Sequence, residues 1–316
     1  MGAGEIIELP PSATTMPSVH DPENGLWMPR IALADGLWDQ LEDILGKMGV
    51  GAVNSSGSFI GSSAAGHFDL YINGSGQHED YTIDTLEHLV SDLEKMKQYH
   101  IIFVPCSDGD NTKLFFDSRL RENIRQYVAL GGKFYVTDWS AEWEDVVFPE
   151  FIQFSPSHDT RADATENDFN GGNGSPPYTS EEARAIDLDL SAWIDGQNGP
   201  LVGSSYVDGT IDAKDFTVEG NWDHIQSLPK IEIGMDEEGL PVFEEAHVWV
   251  KGDWSAGEGP IHPLTVTFEP IGCGRVLYST YHTAESEHVG LVPQERVLLY
   301  LLMEIGECKA GPVVID

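Results

Sequence analysis

The chain has 316 residues, 41% of them hydrophobic, which is enough to bury a sizeable core in one domain that carries a large insertion. Seventeen Lys and Arg stand against 53 Asp and Glu, and the formal charge of −36 repels phosphate backbones and anionic membrane surfaces. No run of 18 apolar residues occurs, so we predict no transmembrane segment. The composition therefore excludes nucleic-acid binding and membrane spanning, and it is common among secreted and salt-adapted proteins.

The first elements form an extended arm followed by a strand and a helix. Residues 1–28 hold four prolines and few periodic apolar positions, which is typical of an arm without chemistry. A short apolar strand is predicted over 29–36. Apolar residues at helical spacing then predict a helix over 37–49 that stops at Gly49.

Further strands and helices alternate up to residue 154. We predict a strand over 68–73 and a helix over 84–98, then a continuous apolar run over 100–106 that is typical of a central parallel strand. A helix over 119–132 ends in a pair of glycines, and a strand over 133–139 follows. This alternation indicates a doubly wound, mostly parallel, flavodoxin-like α/β sheet.

The character of the sequence changes between residues 155 and 262. The first part, 155–179, is polar, acidic and rich in glycine, and we expect a surface loop there, followed by a short helix over 181–196. We interpret 155–262 as a loop-rich and β-rich insertion, with 29–154 and 263–316 forming the core. Within these parts we predict further strands and a closing helix, at 247–254, 264–270, 274–282 and 293–307.

Three segments carry a resemblance to a known superfamily. They read HIIFVPC (100–106), IRQYVALGGKFYVTD (124–138) and CGRVLYSTYH (273–282). Their order, a strand, a helix ending in GG, a strand and a late strand ending in His, resembles the class I glutamine-amidotransferase-like superfamily. The chain is most similar there to secreted proteins of myxobacteria and related bacteria. This resemblance implies an extracellular, periplasmic or cell-surface location and brings no established activity.

The sequence departs from the superfamily at the nucleophile. Working class I amidotransferases place a catalytic Cys on a tight elbow after the GG helix and its strand, whereas this elbow reads VTDWS (136–140). Asp138 or Trp139 therefore occupies the position, and thioester chemistry on glutamine is not expected. His282 and Glu285 stand where the superfamily's His and Glu belong, but spaced as HxxE.

Polar residues follow several predicted parallel strands. Because ligands bind outside the carboxyl ends of such strands, we expect these residues to meet in one crevice. The set comprises Cys106, Ser107, Asp108, Asp138, Trp139, His282 and Glu285. Cys106 could act as a nucleophile with His282 as its base, and the alternatives are a small buried side chain at a strand end and a disulfide.

A calcium site is the second candidate centre. Asp108, Asp110 and Asn111 offer hard oxygen ligands on one turn, but they lack the distal Glu of an EF-hand loop. The Gly-rich loop offers Asp163 and Asp168, together with Glu166 and Asn170. Bound Ca²⁺ would also relieve the self-repulsion of the chain. A plain solvated turn is the alternative at both places.

Cys273 and Cys308 flank the last strand and the last helix. The oxidising location that the resemblance implies favours a disulfide between them, worth about 3 to 4 kcal/mol through restriction of the unfolded chain. Such a bridge would have a structural role only.

Three functions follow as hypotheses. The first is a non-enzymatic extracellular or cell-surface module that presents acidic, Trp-bearing loops to a protein or carbohydrate partner, with Ca²⁺ as its candidate cofactor. The second is a hydrolase that uses Cys106 with His282, or a metal-assisted site at Asp108, Asp138 and His282. The third is an oligomeric subunit of a surface assembly, docked through the 1–28 arm.

Overall fold

The computed structural model describes residues 21–24, 28–61, 68–76, 78–107, 117–154, 180–196, 215–235, 239–252, 262–270, 272–283 and 287–304. Its strands, numbered in chain order, are β1 (Ile31–Asp35), β2 (Phe68–Ile72), β3 (Thr82–Thr85), β4 (Ile101–Val104), β5 (Lys133–Thr137), β6 (Gln153–Phe154), β7 (Ser180–Ala185), β8 (Asp215–Glu219), β9 (Ile225–Ser227), β10 (Ile231–Met235), β11 (Pro241–Glu244), β12 (His247–Gly252), β13 (His262–Phe268) and β14 (Arg275–Ser279). The helices are α1 (Leu41–Lys47), α2 (Leu86–Val90), α3 (Leu93–Met96), α4 (Ser118–Ala129), α5 (Glu142–Asp145), α6 (Leu188–Gly196) and α7 (Pro293–Met303). Short 3-10 turns lie at Pro22–Asn24, Glu79–Tyr81 and Asp138–Ser140.

Ten of the strands form one central sheet in the order β3-β2-β1-β4-β5-β14-β13-β12-β7-β8. The first six strands are parallel to their neighbours, and the pairs from β14–β13 onward are antiparallel. Two small sheets, β6-β9 and β10-β11, lie outside it. The predicted doubly wound, mostly parallel α/β fold is confirmed.

The sheet is buried on both faces, because alternate residues of each central strand enter different cores. In β4, Ile102 and Val104 pack with the residues of α2, α3 and α4 on one face. Ile101 and Phe103 pack with α1, α6 and α7 on the other. This explains the continuous apolar run that predicted β4, since a strand covered on both sides has no polar face.

Two predicted helices differ from the structure. The helix expected over 84–98 is two short helices, because Asp92 adopts an extended backbone and its carboxylate accepts the N–H groups of Glu94 and Lys95, which caps α3. The helix expected over 181–196 begins only at Leu188. The residues before it form β7, in which Ala183 and Ala185 are buried while Glu182 and Arg184 are exposed. That alternation has the period of a strand.

The described part of the 155–262 region contributes to the central sheet. Strands β7, β8 and β12 extend it beyond β13, and Phe216 and Val218 of β8 join the same core as α7.

The predicted helix at the end of the chain is α7, which packs across this core. None of the helices in the described residues is long and apolar enough to cross a membrane.

The parallel half of the sheet brings four strand ends to one edge. Strands β1, β4, β5 and β14 are neighbours and run in the same direction, so the residues that follow them meet at their shared carboxyl edge. The sequential connections reverse direction between β1 and β4, which is where α/β sheets open a crevice for ligands.

Candidate functional site

Asp138 stands on a strained elbow at the end of β5. Its φ of 46° is the one positive value among the non-glycine residues that the structure describes. Asp tolerates this left-handed region better than most residues, at a cost of about 1–3 kcal/mol, and such strain is concentrated at functional sites. The resemblance implied that Asp138 or Trp139 holds the nucleophile position, and the positive φ lies at Asp138.

Several hydrogen bonds hold Asp138 in this conformation. Its carbonyl accepts the N–H of Ala141 at 2.9 Å and the hydroxyl of Tyr278 at 3.0 Å. One carboxylate oxygen, Oδ1, accepts the N–H of Trp222 at 3.0 Å. The other, Oδ2, is buried and accepts no aligned hydrogen bond. The elbow is thus fixed. One carboxylate oxygen of Asp138 is hydrogen-bonded to Trp222, and the other faces His282.

Cys106 follows β4 and is 1% exposed. Its N–H donates to Oγ1 of Thr137 at 3.1 Å, and its carbonyl accepts the N–H groups of Trp38 and Asp39 at 3.4 and 3.3 Å. The backbone on both sides of the thiol is therefore tied to the ends of β1 and β5.

His282 follows β14, and its backbone is fixed in the same way. Its N–H donates to the carbonyl of Gly220 at 3.0 Å, and its carbonyl accepts the side-chain amide of Gln294 at 2.7 Å. The ring atom Nε2 lies 2.9 Å from Oδ2 of Asp138, and both side chains are almost fully buried. The distance is that of an ion pair, although the ring N–H is not aligned with the carboxylate oxygen.

These three side chains converge. One ligand atom from each of Cys106, Asp138 and His282 lies within 4.8 Å of the other two. In a catalytic relay the imidazole stands between the nucleophile and the carboxylate, each bonded to a different ring nitrogen. Here His282 contacts both partners, since its ring lies 2.9 Å from Asp138 Oδ2 and hydrogen-bonds the Cys106 thiol, and the three ligand atoms also lie close enough to surround a common point.

Burial controls the protonation of this cluster. It raises the pKa of Asp138 to about 7, and the contact with His282 offsets part of the effect. Burial likewise raises the pKa of the Cys106 thiol to about 12, with His282 lowering it and the negative charge of Asp138 raising it further. Two anions side by side in a dry site are unfavourable unless a cation joins them.

Sequence reasoning missed an acid that supports the cluster. Asp39 is fully buried in the turn after β1. Its Oδ2 accepts the hydroxyl of Thr137 at 2.7 Å and the N–H of Thr283 at 2.9 Å, which ties the ends of β1, β5 and β14 together. A polar residue just after a buried strand was the signal used for Asp108, and the same signal was present at Asp39.

The 155–262 region supplies a wall of the site, which sequence reasoning also missed. The segment Gly220–Asp223 is bonded to the end of β14 through Gly220, Trp222 and Asp223. The Asp223 carboxylate accepts the Tyr278 hydroxyl, which also donates to the Asp138 carbonyl. No periodic pattern marks such a contact, because it joins residues more than 50 positions apart.

The remaining predicted residues divide into two groups. Ser107 donates its hydroxyl to the carbonyl of Asn73 at 2.6 Å beside the cluster, and Trp139 is 49% exposed next to Asp138. Cys273 precedes β14, at the edge of the sheet opposite the cluster. The other predicted residues lie outside the described residues; they are Asp108, Asp110, Asn111, Asp163, Asp168, Glu285 and Cys308.

The donor set fits a transition metal better than calcium. Thiolate, imidazole and carboxylate together are ligands of Zn²⁺, whereas Ca²⁺ takes oxygen ligands only. Ligands at 2.0–2.3 Å from a tetrahedral ion lie about 3.5 Å apart, whereas Asp138 Oδ2 and His282 Nε2 are 2.9 Å apart, so these two atoms would separate slightly to hold one ion. The buried, unaligned Oδ2 of Asp138 is the oxygen that such an ion would take.

Comparison with family models and with curated proteins finds no match. Among solved structures, a cytoplasmic protein of Salmonella typhimurium is similar at 12% identity and a TM-score of 0.44, covering 89% of this chain and 100% of its own. A ThuA-like protein of Bacteroides uniformis is similar at 10% identity and a TM-score of 0.43, covering 85% and 88%. A ThuA-like protein of Parabacteroides merdae is similar at 8% identity and a TM-score of 0.36, covering 85% and 86%. These similarities concern the fold alone.

Proposed function

We propose that this protein is a metal-dependent enzyme of the hydrolase class, with Cys106, Asp138 and His282 binding one ion of the Zn²⁺ type. The observation that carries the proposal is the convergence of three chemically different, buried ligand atoms within 4.8 Å of one another. They come from three strand ends, so the sheet itself fixes their relative positions.

The metal proposal accounts for the thiol better than a nucleophilic role does. A thiol with a pKa raised to about 12 is protonated at neutral pH, and only the thiolate is nucleophilic. A divalent ion would favour the thiolate and the Asp138 carboxylate together, because its two charges balance theirs. The cysteine thus serves as a ligand in this proposal.

The number of ligands indicates the class of reaction. The described residues offer three protein ligands, the number typical of catalytic zinc sites, which keep a position open for water or substrate, whereas structural sites have four. When bound, such an ion lowers the pKa of its water to about 7 and polarises a substrate oxygen. Asp39, Thr137 and Tyr278 hold the ligands in place around it.

The test is metal analysis of the purified chain together with Co²⁺ substitution. We expect one equivalent of bound metal and an intense thiolate-to-cobalt charge-transfer absorption. Both should be lost in Cys106→Ser and greatly weakened in Asp138→Asn. His88→Ala, which changes an exposed histidine, is the matched control. A folded protein that binds neither metal in stoichiometric amount would contradict the proposal.

The extracellular binding module remains a second candidate, and one observation favours it. The β10–β11 ribbon exposes Met235, Leu240 and Phe243, at 71%, 61% and 55%, as a surface that a partner protein would cover. Thermal unfolding in EDTA, then with excess Ca²⁺, separates the candidates, because a ligand of the folded state raises its stability. A large rise of the unfolding temperature with Ca²⁺ and none with Zn²⁺ would favour the binding module.

The extracellular location and the Cys273–Cys308 disulfide stay predictions of the sequence.

A further inference from the structure

Two tryptophans form an exposed corner beside the cluster. The rings of Trp139 and Trp222 have centroids 6.0 Å apart and planes inclined at 62°. The indole N–H of Trp139 donates to the carbonyl of Trp222 at 3.0 Å, which fixes the two rings relative to each other. Trp139 is 49% exposed and Trp222 is half-buried, so the corner faces solvent.

The corner is joined directly to the proposed metal centre. Trp139 follows Asp138 in the chain, and the backbone N–H of Trp222 donates to Oδ1 of Asp138. A group held against the two rings would therefore lie next to Asp138. Exposed apolar surface that is rimmed by polar groups is one of the features that mark ligand-binding sites.

The charge around the corner is negative. Asp138 precedes one tryptophan and Asp223 follows the other, and both carboxyls are buried. Tyr278 contacts both elements of the corner, through the Asp138 carbonyl and the Asp223 carboxylate. The whole chain carries a formal charge of −36. The net negative charge of the chain disfavours an anion at this position, while a cation would be attracted and could also lie against the indole faces.

We propose that the Trp139–Trp222 corner binds an organic cation, an ammonium or methylated ammonium group, and that such a group marks the molecules on which the centre acts. The proposal deepens the proposed function and rests on it for the reaction, while binding at the corner can be measured without metal. Trp is the strongest aromatic partner of a cation, and its neighbouring carboxyls add attraction.

The test is a titration with tetramethylammonium, followed by calorimetry and Trp fluorescence, in EDTA-treated and in Zn²⁺-loaded protein. Neopentyl alcohol, a neutral molecule of the same shape, is the control ligand, and glucose tests a carbohydrate. We expect the cation to bind at least about tenfold more tightly than the neutral analogue. Added salt should weaken the binding of the cation alone.

Trp139→Leu should abolish this preference, because it keeps apolar bulk but removes the ring. Trp193→Leu, which changes a partly buried tryptophan packed against Tyr300, is the matched control. Equal binding of the cation and the alcohol, binding of glucose alone, or an unchanged Trp139→Leu variant would overturn the inference. Cation binding without metal binding would instead contradict the proposed function, so the two failures are distinguishable.

Discussion

Two pairs, each of a buried carboxyl and a histidine, can be compared in this molecule. Asp138 with His282 lies at the ends of β5 and β14, and Glu42 with His78 lies where α1 meets the turn after β2. Burial raises the pKa of both carboxyls to about 7. Only the first pair has a strained backbone and a thiol within reach. Burial and a shifted pKa therefore do not identify the site, whereas convergence of a third ligand does.

The largest expected effect is on the affinity for Zn²⁺, when a substitution removes the carboxylate of the first pair and the second pair is left intact. Asp138→Asn should lower the affinity for Zn²⁺ by at least about 100-fold, because a ligand is lost and even its supporting contacts are worth 10- to 100-fold. Glu42→Gln should leave that affinity unchanged. Competition with a chromophoric chelator measures both. Equal losses in the two variants would mean that metal binding reports general stability instead of this site.

A pH series tests the second pair, because the protonation of Glu42 affects the free energy of unfolding. Its folded pKa of about 7 lies above the ordinary value of 4.5, so its stabilising contribution is complete below pH 4.5 and is lost as the pH rises through 7. The pKa of His78 is also raised, chiefly by its hydrogen bond to Glu42, and its effect has the same sign. Between pH 5 and pH 8 we expect wild-type protein to lose about 2–3 kcal/mol relative to Glu42→Gln. Urea unfolding at both pH values measures the difference, and parallel profiles would contradict it.

A smaller effect sharpens the role of the residues behind Asp138. Tyr278→Phe removes the hydroxyl that donates to the Asp138 carbonyl and to Asp223, so we expect an affinity for Zn²⁺ about tenfold lower and an altered Co²⁺ spectrum. Tyr127→Phe removes a buried hydroxyl that donates to two backbone carbonyls at the other edge of the sheet, Tyr99 and Lys133. It should cost stability without changing either metal readout. If both variants behave alike, Tyr278 has a structural role only.

The smallest effect concerns the residue next to Cys106. Ser107→Ala removes the hydrogen bond to the Asn73 carbonyl at 2.6 Å and should lower stability by about 1 kcal/mol. Metal affinity should not change, since the Ser107 hydroxyl donates to the backbone carbonyl of Asn73, the residue that follows β2. Denaturant midpoints measure the first quantity and chelator competition the second. A changed metal affinity would place Ser107 within the centre.

Local patterns were sufficient for the core of the fold. The apolar run over 100–106 predicted β4, and the glycine pair after 119–130 marked the turn between α4 and β5, where Gly131 has a φ of 104°. The same patterns did not predict the structure correctly where a capping side chain or strand pairing overrides the apolar spacing. Asp92 divides a helix that the apolar spacing predicts as continuous, and the strand pairing of β7 overrides a helical reading of 181–187.

By itself the sequence determined the alternation of apolar strands and amphipathic helices, and it named Cys106, Asp138 and His282 as residues at strand ends. Each of these features is local, because it depends on residues within a few positions of one another. Only the tertiary structure decided that the three side chains meet around one point and that Asp39 and the segment 220–223 support them. Those contacts join residues between about 30 and 240 positions apart. They are set by the order and direction of the strands, which no local spacing encodes.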